Sequence, residues 1–145
     1  MSKQITPRVQ PIQDVLYLPE AAGQTFVPGD LVYLVSGAVT IVAANTTVPF
    51  GIAQSSANGT TSHIVGVAPI KVGEIYEAWF AGTLAVADFS ASTVFTGLAA
   101  GADWVVADSS GDANIVNIVG YVDPIGTVAG RVLITFVSSQ FSTGV

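Results

Sequence analysis

The stretch Leu31-Val32-Tyr33-Leu34-Val35-Ser36-Gly37-Ala38-Val39-Thr40-Ile41-Val42 decides the fold. Two runs of β-branched and large apolar residues flank a Ser-Gly pair, and such a pair favours a tight reversal between two strands. Outward from this hairpin the same pattern recurs as short apolar runs broken by Gly, Asn, Asp and Pro. It predicts strands over Val15–Leu18, Leu31–Val35, Val39–Ala43, Gly51–Ser55, His63–Pro69, Ile75–Ala81, Trp104–Ala107, Ile115–Val122 and Val128–Val137. Asn58-Gly59 marks another turn. The run Val132–Val137 is apolar on both sides and so predicts burial of both faces, by a second sheet or by another subunit. Only Ala81–Ala102 carries enough Ala and Leu to suggest a helix, and Gly82, Gly97 and Gly101 interrupt it. At most one short helix is expected there, over Asp88–Ala91 or Ser92–Leu98, with Asp88 or Ser90 as its cap. Closely spaced strands with turns between them predict an all-β chain, a compact barrel or sandwich.

Composition narrows the function. At 145 residues the chain has the size of one domain. Half of it is apolar and only 10% is charged, against about 25% in an ordinary globular domain. Ser, Thr, Asn and Gly, together with partner proteins, must cover its outside. The net charge is −6, and the four cations Lys3, Arg8, Lys71 and Arg131 are scattered. A phosphate-binding surface needs them clustered, so nucleic acid is excluded as a main partner, and a basic membrane patch with it. There are no cysteines, hence no disulfide, thiolate metal site or thiol nucleophile. No apolar run is long enough to span a membrane as a helix, and the start lacks a secretory pattern. The chain is expected to be made in a cytoplasm.

Candidate chemistry is sparse. His63 is the one imidazole and sits in the polar turn Asn58-Gly59-Thr60-Thr61-Ser62-His63, with no Gly-x-Ser-x-Gly elbow to pair with it. It reads as an exposed or strand-edge histidine. Glu74 and Glu77 lie three apart at a strand start, so a regular strand sends them to opposite faces and not onto one substrate atom. Asp103, Asp108 and Asp112 flank a polar loop, but the bidentate Glu of a usual calcium loop is missing. Gly29-Asp30 leads into a strand and makes no phosphate cradle. No catalytic, cofactor or metal site is expected, and the chain reads as a non-enzyme.

The ends and the aromatics read as contact surface. Residues 1–14 carry Pro7 and Pro11, which argue against a helix and against a regular central strand. They read as an extended arm whose Ile5, Pro7, Arg8, Val9, Pro11 and Ile12 would lie on a partner, so that removing residues 2–13 should spare the fold. The β-rich body is expected over 15–138 and a polar tail over 139–145. On the strand near Ile75, Tyr76 and Phe80 share a face and Trp79 takes the other. These three are candidates for a subunit interface, with a sugar platform as the lesser reading.

One ordered series carries a family resemblance: Pro28-Gly29-Asp30-Leu31-Val32, Gly37, Pro49-Phe50-Gly51-Ile52-Ala53, Gly66-Val67-Ala68 and Gly73-Glu74-Ile75-Tyr76. Over residues 15–82 it resembles small decoration (cement) proteins of bacteriophage heads. The resemblance implies a compact body of the β-tulip type with an N-terminal arm. It also implies a homotrimer on the capsid exterior of the virion that clamps neighbouring copies of the major capsid protein. A phage tail, fibre or baseplate β-domain, and a carbohydrate-binding or adhesin module, are the alternatives.

Overall fold

The computed structural model describes residues 5–7, 15–86, 92–96, 98–108 and 114–140. These form eleven strands: β1 (Thr6–Pro7), β2 (Leu16–Pro19), β3 (Leu31–Val35), β4 (Ala38–Ile41), β5 (Gly51–Ala53), β6 (Ile64–Pro69), β7 (Tyr76–Phe80), β8 (Ser92–Thr96), β9 (Val105–Asp108), β10 (Val116–Tyr121) and β11 (Arg131–Phe136). Among the described residues there is no α-helix, so the chain is all-β. The deciding hairpin is β3–β4, closed by the pair Val35 and Ala38. Its turn residues Ser36 and Gly37 both have positive φ, 49° and 81°, the left-handed pair of a type I′ turn, which suits the twist of the flanking strands.

Strands β2, β6, β5, β3 and β4 make an antiparallel first sheet in that order. The sheet curls until its edges meet at one end, where Glu20 bridges Val39 and the Ala21 N–H reaches the Val39 carbonyl at 3.0 Å. Phe26, Val32, Val39, Ala53, Val65 and Val67 fill the inside of the curl. Gly51 permits it: a Cβ there would stand 2.5 Å from the Ala68 carbonyl oxygen, so a side chain would force β5 away from β6.

Strands β7, β11, β10, β8 and β9 form a barrel that the parallel pairing of β7 with β9 closes. Burial alternates along β11, with Val132, Ile134 and Phe136 inside. Its outer face is half-exposed because the barrel has one interior, so no second sheet of the described residues covers that face, one of the two ways expected. A register shift between Ile118 and Gly120 lets β10 bend round the wall. Tyr76 meets Phe136 edge-on at 5.3 Å, and Phe95 stacks on Phe136 at 5.9 Å. This core is continuous with Leu31, Val42, Ile52 and Ile70 from the other face of the first sheet.

Three sequence expectations are corrected. Ser92–Leu98 is no helix; Thr93, Val94, Phe95 and Thr96 suit a strand, and β8 pairs with both β9 and β10. The alternative over Asp88–Ala91 falls outside the described residues. The extended arm does not begin the chain as drawn. Ile5 is only 4% exposed within the shared core, and Thr6 and Pro7 pair with Glu77 and Tyr76. The reason is that β9 pairs with β7 only at Trp79 and Phe80, which leaves room on that strand for β1, an edge position where a proline is tolerated. Ile5 and Pro7 thus belong to the body, while Arg8, Val9, Pro11 and Ile12 lie outside the described residues. Finally, the body runs past 138. Ser139 is buried, and the Gln140 side chain takes the Leu34 N–H at 2.7 Å and donates to the Leu34 carbonyl at 2.8 Å.

Candidate functional site

From Val15 to Ile70 the chain holds no Lys or Arg and only two acids, Glu20 and Asp30. Both are buried, at 0% and 2% exposure. A buried carboxylate must be met by several donors, and each of these is.

Asp30 stands in the Pro28-Gly29 turn that opens β3. It accepts from the Val27 N–H at 2.9 Å, the Gly101 N–H at 3.0 Å and the Trp104 indole Nε1–H at 2.9 Å. Two of those donors belong to the barrel side, so this acid fastens the first sheet to the barrel.

Glu20 ends β2 and plugs the end of the curl. It accepts from the Asn58 N–H at 2.9 Å, the Gly59 N–H at 2.8 Å and His63 Nδ1 at 2.5 Å. Burial alone would lift its pKa. The Asn58 amide, the His63 ring and the Gly59 amide together outweigh that and hold the carboxyl below its ordinary 4.5. His63 is therefore not a free strand-edge residue. Its ring is partly exposed, yet Nδ1 is committed to Glu20, its one hydrogen-bond partner among the described residues. Among the described residues no hydroxyl hydrogen-bonds to its ring.

With both acids inside, the outside of the first sheet carries no permanently charged group. It carries apolar ones instead: Tyr17 is 73% exposed and Ile64 53%, and Val15, Leu16, Val35 and Val48 are exposed too. Val15 and Tyr17 lean over Gly66 on the neighbouring strand.

The barrel differs. Arg131 binds Asp123 through Nη2 at 2.9 Å and Nε at 3.2 Å, lies 3.7 Å from Glu77, and sits 5.8 Å from the centre of the Trp79 ring. Its guanidinium hydrogen bonds hold the Asp123 carboxyl below the usual range. Of the three aromatics expected at an interface, only Trp79 reaches the outside, and Arg131 sits over its ring. Tyr76 and Phe80 are 1% and 6% exposed in the chain's own core, because strand alternation sends them inward. Burial raises the Tyr76 phenol, whose oxygen accepts the Lys71 N–H at 3.2 Å.

The remaining candidates do not converge. Glu77 faces Arg131 from β7, while Glu74 lies in the turn before it, with one carboxylate oxygen buried and unpartnered. Asp103 is exposed before Trp104, Asp108 ends β9, and Asp112 lies outside the described residues. Among the described residues no three acids or histidines stand close enough to hold a metal. An apolar cleft between sheet and barrel, walled by Leu31, Val42, Pro49, Phe95, Leu98 and Ile115, has no ionisable side chain on its walls. Compared with protein-family models, curated proteins and solved structures, the chain matches none.

Proposed function

We propose that this chain is a structural protein that coats a larger protein shell, as the decoration proteins of phage heads do, and that it seats itself through the first sheet. One observation carries the reading: the outside of residues 15–70 bears exposed Val15, Leu16, Tyr17, Val35, Val48 and Ile64 and no permanent charge, while the barrel, which also exposes Val119 and Val128, bears a partly exposed ion-pair network. A surface without charge costs little to take out of water, and its apolar groups gain by leaving it. The barrel's acids then face solvent. Binding needs no chemistry, only area shared among several contacts. In this reading the partners are the major capsid protein and further copies of the chain, grouped in threes on the outside of the virion.

The test is co-sedimentation with expanded heads purified from the phage that encodes the chain. Saturable binding is expected, with loss of about tenfold or more in affinity when Tyr17 or Ile64 is replaced by Lys. A chain that ignores heads and binds glycan arrays instead is an adhesin and not a coat protein.

A further inference from the structure

The ladder between β2 and β6 shows which backbone groups of β2 remain unused. The register pairs Leu16 with Val67, Tyr17 with Gly66, Leu18 with Val65 and Pro19 with Ile64. One step on, the Glu20 N–H donates to the His63 carbonyl at 2.9 Å. In an antiparallel ladder, bonded and unbonded pairs alternate, so Leu18 and Leu16 bond to β6 while Tyr17 does not. Gly66 gives the same answer independently. Its carbonyl accepts the Gln54 N–H at 2.8 Å and its N–H goes to the Ser55 hydroxyl at 2.9 Å, both on the side away from β2. Tyr17 therefore points its N–H and C=O outward, along the free edge.

That edge is covered only at its far end. Beside Glu20 and Ala21 the sheet closes on Val39, and Pro19 has no N–H to offer. Over Val15–Tyr17 no described residue pairs with it. Edges left bare are usually blunted by an exposed charge. Among the described residues of this edge there is none, and the side chains are exposed Val15, Leu16 and Tyr17.

We propose that Val15–Tyr17 is an acceptor edge for strand addition, and that its occupant is an extended, uncharged segment of the shell protein on which the chain sits. An extended backbone offers a donor and an acceptor at the spacing that Tyr17 presents, the pair that the Gln140 side-chain amide offers Leu34, and unlike a single side-chain amide it also runs along exposed Leu16 and Tyr17. The described residues of the edge carry no charge, and an uncharged segment is the one they cover without stranding an ion away from water. The partner's identity rests on the coat-protein reading.

Tyr17→Pro tests this directly. The Tyr17 N–H makes no bond within the sheet, so proline there leaves the β2–β6 ladder intact while deleting the donor at the edge. Tyr17→Thr is the companion variant, which keeps the N–H and loses the ring. On expanded heads, Tyr17→Pro should bind at least about tenfold more weakly than Tyr17→Thr, with circular dichroism unchanged in both. In the wild-type chain bound to heads, the Tyr17 amide should exchange with deuterium at least about tenfold more slowly than in the free chain. Equal binding by the two variants, or unchanged exchange at Tyr17 on the head, overturns strand addition and leaves the coat reading standing. Wild-type chain that does not bind heads overturns the coat reading and the assigned partner together. A concentration-dependent dimer that Tyr17→Pro abolishes makes a second copy the occupant and overturns the shell segment.

Discussion

In the first sheet both carboxylates lie inside, Glu20 on Asn58, Gly59 and His63, and Asp30 on Val27, Gly101 and Trp104. In the barrel, Glu77 and Asp123 reach outward to Arg131. The two parts of the chain thus spend their few charges in opposite ways. Inside, a carboxylate collects amide donors and fastens loops and sheets together. Outside, the same group keeps a surface wet. A molecule with so little charge cannot do both everywhere, and the surface it leaves uncharged is the one suited to being covered.

Removing the fastener between the two halves is the most severe test of that contrast. Asp30→Ala leaves the buried Trp104 indole and two part-buried backbone N–H groups without their acceptor, at a cost of about 3–5 kcal/mol in urea unfolding. A loss below about 1 kcal/mol would mean that the sheet and barrel are held by apolar packing alone. Next comes Ile5→Ala, for which thermal unfolding should show about 2–4 kcal/mol lost, because the cavity opens in the shared core. If the melting curve does not move, the start of the chain is an arm after all.

Glu20→Gln should cost less, about 1–2 kcal/mol at neutral pH, since an amide can still accept some of the same bonds. Its signature is in the pH dependence. The Glu20 pKa is depressed in the folded chain, so its stabilisation is complete above about 4.5 and is lost as pH falls through the lower folded value. The gap between wild type and variant should therefore narrow on acidification below about pH 4.5, measured by denaturant titration at each pH. A gap that widens there contradicts the sign. The smallest effect on stability is expected from Val35→Lys on the sheet and Val119→Lys on the barrel, each within about 0.5 kcal/mol. They should differ in attachment: the first weakens binding to heads and the second does not. Equal effects would erase the distinction between the two surfaces.

The nine strand cores predicted from β-branched runs all coincide with strands of the structure, because punctuation by Gly, Asn and Pro is local chemistry. Strand β8 was hidden for the opposite reason. Its Ser92–Thr96 lies in an Ala-rich stretch, and only pairing with β9 and β10 settles its state. Strand β1 is two residues long and owes its existence to an opening beside β7, which no reading of Thr6-Pro7 by itself can supply. The sorting of Tyr76 and Phe80 from Trp79 follows from alternation; which face is the core does not. Glu20 and Asp30 carried a usable signal, as the only acids between Val15 and Ile70. What they hold does not, since Trp104 lies 74 residues beyond Asp30.

The docking of β1 on β7 makes the first sheet an insertion between β1 and the barrel that β1 extends. During synthesis the first sheet is therefore finished while most of the barrel has yet to leave the ribosome, and its short-range hairpins favour early closure. At about 5–20 residues per second, the carboxylate of Asp30 waits roughly 4–15 s for the indole of Trp104. Throughout that interval Leu31, Val42 and Ile52 have no barrel to cover them, and Ile5 has no pocket. Gln140 arrives last and closes the edge of β3 at Leu34 with two bonds. The nascent chain is then most prone to aggregate in the middle of its synthesis and least at the end, when one glutamine secures the sheet that was made first.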